Sequence, residues 1–494
     1  MSDVSTRSIV CQEAMEKRVL PRLLMEGTKA MIEAGEHFTP KYPAEDHDSY
    51  QTRLKGTTLF NALEITIMEM VGKPFSKAIQ LNEDVPETIV EQFQNIDGQG
   101  RDVTAFFKDA FKDAMIDGIS FIHVDFTRIQ PSIEGEEPTF ADQIVQGARP
   151  NAILYQANQI LGFKSENING VQTLTEIRIY EEITEADGEW GEVIVEQIKV
   201  LRQGSFELWR LNKDDKTGKS WYLYDVGAIS LDYVPIVPIY VNRTKYMVGE
   251  PPLKSLAELN LEHWISSSDQ RKALMFERFS MLVFTGVNAT TQIDAGPDRV
   301  VKLQDPESKW GRIESTGKGI EAGRLDLEAI ERRMQHAHMT VQLQNEQGDV
   351  TATAASIDSE ESNAGLLAAA QSLQDSIDQV IQIFSDYQNL GEGGTSTVNK
   401  AFGRPKSKMT VPDMVSLMNA GVIDEQVIFA ELQARGDLNE DLDFEEVNAR
   451  AKEAMLNLME MQGFGAKNED PEKDEDPDDE KKDDKSSNFG EEKE

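Results

Sequence analysis

The sequence has little cysteine and no long apolar run. Cys11 is the only cysteine among 494 residues, which excludes intrachain disulfides and thiolate metal clusters. No run of about 18 apolar residues occurs, so no membrane-spanning helix of ordinary length is predicted. The start, MSDVSTRSIVCQEAMEKRVLPRLL, lacks the apolar core and small-residue cleavage site of a signal peptide. These absences predict a protein made in a reducing cytoplasm, with no membrane partner.

Basic residues are also in short supply. The chain has 50 Lys and Arg against 88 Asp and Glu, a formal charge of −38. Such a field repels phosphate, so tight nucleic-acid binding is not expected, although DNA could still slide past the surface. Residues 464–494 hold 14 acidic and 6 basic residues and almost no bulky apolar ones. We predict that this acidic tail is disordered, because it cannot bury enough apolar surface to fold.

Motifs that would indicate catalysis are missing. There is no phosphate-binding G-x-x-x-x-G-K-[ST], no zinc-binding pair of histidines four apart and no G-x-S-x-G. TGKGIEAG (316–323) has the wrong spacing for a phosphate cradle and is interpreted as a loop leading into a helix. His336 and His338 are two apart on a predicted helix and cannot chelate one ion, and His123 and His263 are interpreted as structural. We therefore expect no enzymatic activity, no metal and no cofactor.

The first quarter of the chain is predicted to be mainly helical, up to about residue 126. Asp102 suits the N-cap of DVTAFFKDAFKDAMIDG and Gly118 suits its stop. ISFIHVDF (119–126) follows as a strand. From 150 to 242 the apolar period becomes two, which predicts an antiparallel β meander with hairpin turns around Asp187–Gly188 and Lys216–Thr217–Gly218. PIVPIYVN (235–242) is predicted to be its last strand, and its prolines favour an edge position.

Long helices dominate the next segment. The pattern predicts helices over 253–279 and 321–344, with a small β element between them. A bare stretch, NEQGDVTATAASIDSEES (345–362), precedes a long helix from about 359 to 390, with Asp358 and Glu361 as its cap. That helix carries a heptad seam, formed by Leu366, Ala370, Leu373, Ile377, Val380, Phe384 and Tyr387. The spacing alone does not distinguish an intrachain core helix from a seam between subunits. Two short helices and a last one within 444–461 follow.

The order of these elements resembles the portal proteins of tailed bacteriophages. Three blocks carry the resemblance to a portal-related phage family: YPAEDHDSYQTRLKGTTLFN, PPLKSLAELNLEHWISSSDQRKAL and TATAASIDSEESNAGLLAAAQSL. The resemblance implies an α+β, portal-like fold, mainly helical, with a β meander, a small β clip and long stem and wing helices. In chain order it implies a wing (1–250, with a helical N-terminal region over 1–126 and the meander over 150–242), a stem helix (251–280), a clip (281–320), a second stem helix (321–344), a tunnel loop (345–357), a long wing helix (358–400), a crown (401–463) and the tail (464–494).

The resemblance also implies a function. Portal subunits form a ring, typically of twelve, at one vertex of the virion capsid, assembled in the host cytoplasm. The ring passes double-stranded DNA during packaging and ejection without reading its sequence. Its partners are the terminase large subunit, the neck or adaptor proteins, and the major capsid and scaffold proteins.

Three sets of residues follow as candidate sites. The channel-lining candidates are Gln344, Asn345, Gln347, Gly348, Thr351 and Thr353. The clip candidates facing terminase or adaptor are Lys302, Lys309, Trp310 and Arg312. The candidate packing seam between subunits is Leu366, Leu373, Ile377, Val380, Phe384 and Tyr387.

Two other functions stay open on the sequence. A non-portal structural or scaffold protein of the virion could be built around the heptad helix, but scaffolds are mostly helical and the meander counts against this. An enzyme of the packaging machinery, such as a nuclease or ATPase, would need the motifs that are missing.

Overall fold

The structure is a computed structural model. It describes residues 3–127, 147–212, 220–278, 281–285, 309–313, 318–342, 352–400, 402, 410–435, 437–439 and 442–461. The chain divides into two compact units, residues 1–405 and 406–494. Helices and antiparallel sheets make up the larger unit, as the α+β prediction requires.

Six α-helices and one strand open the larger unit: α1 (Ile9–Glu26), α2 (Thr28–Ala34), α3 (His47–Lys55), α4 (Ala62–Gly72), α5 (Glu87–Gln92), α6 (Val103–Asp117) and the short strand β1 (Gln80–Leu81). The predicted limits of α6 are confirmed. The Asp102 side chain accepts a hydrogen bond from the Ala105 amide at 2.7 Å. Gly118 ends the helix at φ 85°, a left-handed conformation that suits glycine.

A three-stranded antiparallel sheet lies at the centre of this unit. It consists of β2 (Ile119–Phe126), β3 (Pro150–Gln156) and β9 (Ile236–Tyr240), in the order β3-β2-β9. The edge position predicted for β9 is confirmed, because β2 is its one partner among the strands that the structure describes. Its assignment to the meander was wrong. Strand pairing is set by contacts distant in sequence, and the alternation of β9 is the same in either sheet.

The meander itself is a five-stranded antiparallel sheet in sequence order. Its strands are β4 (Ile160–Ile168), β5 (Val171–Asp187), β6 (Gly191–Arg202), β7 (Ser205–Leu211) and β8 (Trp221–Ala228). The hairpin at Asp187–Gly188 is confirmed, with Gly188 at φ 77°. The predicted turn at Lys216–Thr217–Gly218 lies outside the described residues, although β7 and β8 pair on either side of it. A short hairpin follows β9, formed by β10 (Arg243–Lys245) and β11 (Val248–Gly249).

Three long helices complete the larger unit: α7 (Lys254–Arg278), α8 (Lys318–Gln342) and α9 (Ala352–Gln388). Between α7 and α8 lie the paired strands β12 (Met281–Thr285) and β13 (Lys309–Ile313). A last strand, β14 (Ser396–Thr397), pairs with β1. The main core joins the N-terminal helices, β2, β9 and the inner faces of α7, α8 and α9. A second apolar cluster lies between the three-stranded sheet and the meander.

The smaller unit contains three helices in its described portion: α10 (Val411–Asn419), α11 (Glu425–Arg435) and α12 (Phe444–Met461). Their positions agree with the predicted two short helices and final helix. Thr410 caps α10 in a reciprocal capping box with Asp413. The rings of Phe429 and Phe444 pack edge to face at 5.4 Å between centroids.

Candidate functional site

The candidate site is a helical hairpin formed by α7 and α8. Polar contacts set its antiparallel register: Arg333 with Glu262 at 2.9 Å, Ser266 with Asp326 at 2.7 Å, and the Gln270 amide with the carbonyl oxygen of Ile320 at 2.8 Å. Residue numbers rise along one helix as they fall along the other. The chain therefore runs out along α7, reverses through the β12–β13 strand pair and returns along α8.

A second set of contacts fixes the first half of α7 in the body of the protein. Trp264 is fully buried, and its indole N–H donates to the Thr39 hydroxyl at 2.7 Å. The buried Asn260 side chain accepts from the Leu63 amide and donates to the carbonyl oxygen of Phe60. These hydrogen bonds satisfy the polar groups of Trp264 and Asn260, which would otherwise be costly to bury. Beyond Ser268, α7 becomes more exposed, and Met275 is 52% exposed.

The strongest anchor is a buried ion pair beneath α7. Arg53 and Glu45 are each 1% exposed and meet in a bidentate contact, at 3.0 Å from Nε and 2.9 Å from Nη2. Lys272 of α7 binds the same carboxylate at 2.8 Å, and Arg53 donates to the Ser268 hydroxyl at 3.1 Å. The hydrogen bonds from Arg53 hold the pKa of Glu45 at about 2, well below its usual value. This cluster ties the segment before α3 to α7.

Three arginines of α8 are paired with carboxylates of α8 or α7. Arg324 bonds to Glu321 and Glu328, Arg332 lies near Glu328, and Arg333 pairs with Glu262. These exposed pairs contribute little to stability. They do neutralise the arginines locally, so these cations are not free to grip a polyanion.

The channel-lining candidates fall where α8 joins α9. Gln344, Asn345, Gln347, Gly348 and Thr351 lie outside the described residues. Thr353 lies in the first turn of α9. The helix begins at Ala352, so the predicted loop end at 357 and the cap at Asp358 and Glu361 were wrong. The residues of ATAAS are small enough to suit a turn, but alanine has the highest intrinsic helix propensity, and the helix prevails.

The clip candidates lie on or beside β13. Lys309 pairs in register with Thr285, Trp310 with Phe284, and Arg312 with Leu282. Lys302 lies outside the described residues. The predicted β element thus contains at least one antiparallel strand pair. The segment from Lys318 is already helical, which shortens the loop predicted at 316–323.

The heptad seam of α9 packs inside the chain. Leu373, Ile377, Val380 and Phe384 are 0% exposed, and Leu366 is 3% exposed. They belong to the main core, where α9 crosses β2 and β9 and meets α8. Tyr387 is half-buried against Phe126. The four side chains with no exposed area can offer nothing to a neighbouring subunit, so the prediction that they form a packing seam between subunits is corrected. A heptad stripe specifies an apolar face but not what covers it.

Two features of the structure were missed by sequence reasoning. One is the Arg53–Glu45 anchor, whose partners are eight residues apart in a segment without periodic apolar residues. The other joins the two sheets: Lys199 reaches Glu181 at 3.3 Å, Asp125 at 3.5 Å and the Tyr155 hydroxyl at 3.3 Å. Charged residues on alternating strands look solvated in sequence, and only the sheet packing shows that Lys199 and Glu181 are mostly buried.

His123 lies next to that second cluster. It is fully buried, its ring is 6.3 Å from that of Tyr155, and burial lowers its pKa to about 4. It is therefore neutral at pH 7. Among the described residues, no group of three or more His, Cys, Asp or Glu side chains is arranged to hold a metal ion. None of the described helices is both long and apolar enough to cross a membrane.

Comparisons with known proteins bear on the same segment. Residues 252–388 match a family described as a domain of unknown function, DUF4055. The match spans the α7–α8 hairpin, the connection after it and α9, so this segment recurs as a unit. No curated protein matches the chain.

Solved structures give a weaker likeness. The chain is similar to a protein from the neck of an empty gene transfer agent particle with C6 symmetry (11% identity, TM-score 0.37, 83% of this chain and 94% of that chain). It is also similar to one from the virion of a native gene transfer agent particle (11% identity, TM-score 0.35, 85% and 97%). At these TM-scores the similarities carry no argument about function.

Proposed function

We propose that this protein is a portal subunit, which forms a ring at one capsid vertex of a phage-like virion. One observation carries the proposal: an antiparallel pair of 25-residue helices, with a β-strand pair between them, is followed after nine residues by a 37-residue helix. That succession corresponds to the stem, clip, second stem helix, tunnel loop and wing helix implied by the portal resemblance.

The boundaries proposed for these segments follow the secondary structure. The stem helices are α7 and α8, the clip lies between them, the tunnel loop is shortened to 343–351, and the long wing helix is α9. The wing comprises the N-terminal helices and both sheets, and the crown corresponds to α10 to α12. We assign the clip to contact with terminase and then with neck or adaptor proteins, and the outer surfaces to capsid and scaffold proteins.

The charge pattern of the hairpin suits a channel for DNA. Double-stranded DNA carries about one negative charge per 1.7 Å, and free cations along a channel would bind and slow it. The arginines of α8 in contact with Glu321, Glu328 and Glu262 are already neutralised. A wall of such pairs would let DNA of any sequence pass. We propose no catalytic role for the chain.

Negative-stain electron microscopy of the purified protein, with rotational averaging, tests this function. Rings with a central hole are the expected result, and the averaged symmetry gives the subunit number, for which we expect twelve. Rods or extended dimers would contradict the portal function and favour a scaffold or other non-ring virion protein.

The tunnel loop has its own test. Deleting residues 345–350 leaves both described helices complete, because α8 ends at Gln342 and α9 begins at Ala352. We expect such chains to form rings but to package DNA poorly. A truncation of 466–494 is the matched control and should leave both ring assembly and packaging unchanged. If the deletion variant packaged DNA normally, residues 345–350 would not form the channel constriction.

A further inference from the structure

The contact between the three-stranded sheet and the meander changes character along β2. Part of it is apolar, and Phe121 of β2 and Leu201 of β6 lie within that part. Next to it lies a polar group, which we call the inter-sheet cluster: Asp125, Tyr155, Glu181 and Lys199. His123 stands between Phe121 and Asp125 on the same face of β2, because alternate residues of a strand point the same way. A histidine thus lies where the apolar and polar parts of the contact meet.

The inter-sheet cluster ties the two sheets together. Glu181 of β5 accepts hydrogen bonds from the Tyr155 hydroxyl of β3 and, at 2.9 Å, from the side-chain amide of Gln197 on β6. Lys199, also on β6, lies 3.3 Å from Glu181 and 3.5 Å from Asp125 of β2. Several of these contacts cross from one sheet to the other. The cluster therefore helps to hold the meander against the three-stranded sheet.

The ring of His123 is enclosed without hydrogen bonds. The residue is 1% exposed, and in the part of the chain that the structure describes neither ring nitrogen has a hydrogen-bond partner. Its cross-strand neighbours, Ile153 of β3 and Ile236 of β9, have no polar side-chain atoms. A neutral imidazole in this position leaves one donor and one acceptor unsatisfied. An imidazolium would bury a full charge and two N–H donors without an acceptor, which costs far more.

The titratable groups that face His123 come from four strands. They are Asp125 of its own strand, Tyr155 of β3, Glu181 of β5 and Lys199 of β6. Burial is the largest influence and lowers the pKa of His123 from 6.5 to about 4, while the two carboxylates raise it and Lys199 lowers it. When water reaches the ring, its pKa returns towards the ordinary value of about 6.5. The closed contact therefore holds the neutral ring.

We propose that the contact between the meander and the three-stranded sheet is an acid-sensitive joint, which opens when His123 takes up a proton. In the open joint water satisfies both N–H groups of the imidazolium, so protons favour the open form. The closed joint keeps its full stability above about pH 6.5 and loses stability as the pH falls towards 4. The joint is built within one chain, so this inference does not depend on the proposed ring.

The single cysteine reports whether the joint is open. Cys11 is buried in the apolar cluster between the sheets, so a thiol reagent reaches it only when that cluster opens. The full-length chain is labelled with a dipyridyl disulfide, which reacts with thiols in mild acid, at about pH 7.5 and about pH 5. The same is done with His123→Phe, which cannot take up a proton. Both chains carry the same thiol, so the ratio of their labelling rates at one pH is free of the reagent's own pH dependence.

We expect the ratio of the wild-type rate to the His123→Phe rate to rise about 30-fold from about pH 7.5 to about pH 5. This is the factor by which a pKa lowered from 6.5 to about 4 changes the opening equilibrium over that range. His123→Gln is a second variant without a titrating ring and should behave as His123→Phe does. The matched control is His37→Gln, at an exposed histidine, which should behave as wild type does. A second probe, Leu201→Cys in a Cys11→Ala chain, should show the same rise from the meander side of the joint.

The other outcomes would each overturn the acid-sensitive joint. A ratio that does not change with pH would mean that His123 does not control opening. A ratio that falls towards pH 5 would mean that the protonated ring gains a contact with a carboxylate and tightens the joint. A rise at Cys11 without one at Leu201→Cys would mean that only the start of α1 opens. None of these results requires rings to form, so failure of the joint leaves the proposed function standing.

Discussion

The ion pair beneath α7 can be broken by a single substitution, Arg53→Met. Methionine keeps most of the length of the arginine side chain but removes the bidentate contact to Glu45 and the hydrogen bond to Ser268. Lys272 remains at 2.8 Å from the carboxylate. The expected result is a locally loosened α7, because Glu45 is left buried with only some of its compensation.

The size of the effect follows from the geometry. The shift in the pKa of Glu45 from 4.5 to about 2 corresponds to about 3 kcal/mol at roughly 1.4 kcal/mol per unit. Breaking one side of a buried ion pair costs about 3–5 kcal/mol in other proteins. Because the hydrogen bond from Lys272 contributes to that shift and remains in the variant, we expect a loss at the lower end of this range, so that α7 opens locally about 100-fold more often.

Hydrogen exchange is the appropriate measurement, because a 494-residue chain of two units does not unfold in a single two-state step. The amides of α7 are followed by mass spectrometry in wild type and in Arg53→Met. Arg324→Met is the matched control: its side chain is 52% exposed and pairs only along α8. We expect the control to change the free energy of local opening of α7 by less than about 1 kcal/mol.

A double replacement, Glu45→Met with Arg53→Met, sharpens the test. Removing both charges eliminates the uncompensated group, so the double variant should be less destabilised than the sum of the two single variants. If the α7 amides exchanged as slowly in Arg53→Met as in wild type, the ion pair would not anchor α7.

The remaining predictions concern pH, backbone and core. The pKa of Glu45 is lowered on folding, so its contribution is complete above about pH 4.5 and is lost as the pH falls towards 2. The melting temperature of the wild-type chain should fall as the pH is lowered through that window. It should fall less steeply in Glu45→Gln. Gly118→Ala should lower the hydrogen-exchange protection of the flanking α6 and β2 by more than about 2 kcal/mol, since a Cβ there would lie 2.1 Å from a backbone oxygen. Gly170→Ala, also at positive φ but in open space, should lower the protection of its hairpin by about 1 kcal/mol. Ile377→Ala should lower the hydrogen-exchange protection of the α9 amides by about 2–5 kcal/mol, and Leu367→Ala, 41% exposed on the same helix, should lower it much less.

Local chemistry accounts for the elements that sequence predicts well. The limits of α6 depend on one capping carboxylate and one glycine, Asp102 and Gly118. The hairpin at Asp187–Gly188 depends on a turn that requires positive φ. Each of these signals involves residues a few positions apart, and each is independent of the rest of the fold.

The elements that sequence predicts poorly depend on distant partners. β9 has a strand pattern, but its pairing with β2 rather than with the meander is decided by residues more than 100 positions away. The start of α9 depends on whether a run of small residues turns or remains helical. The partners of the candidate clip and loop residues cannot be inferred from their types, which are polar and common.

The burial of the α9 seam changes where contacts between subunits must be sought. The heptad stripe is the most regular pattern in the sequence, and it is covered by the chain's own sheet and by α8. A ring must then be held by surfaces that remain exposed after the chain folds.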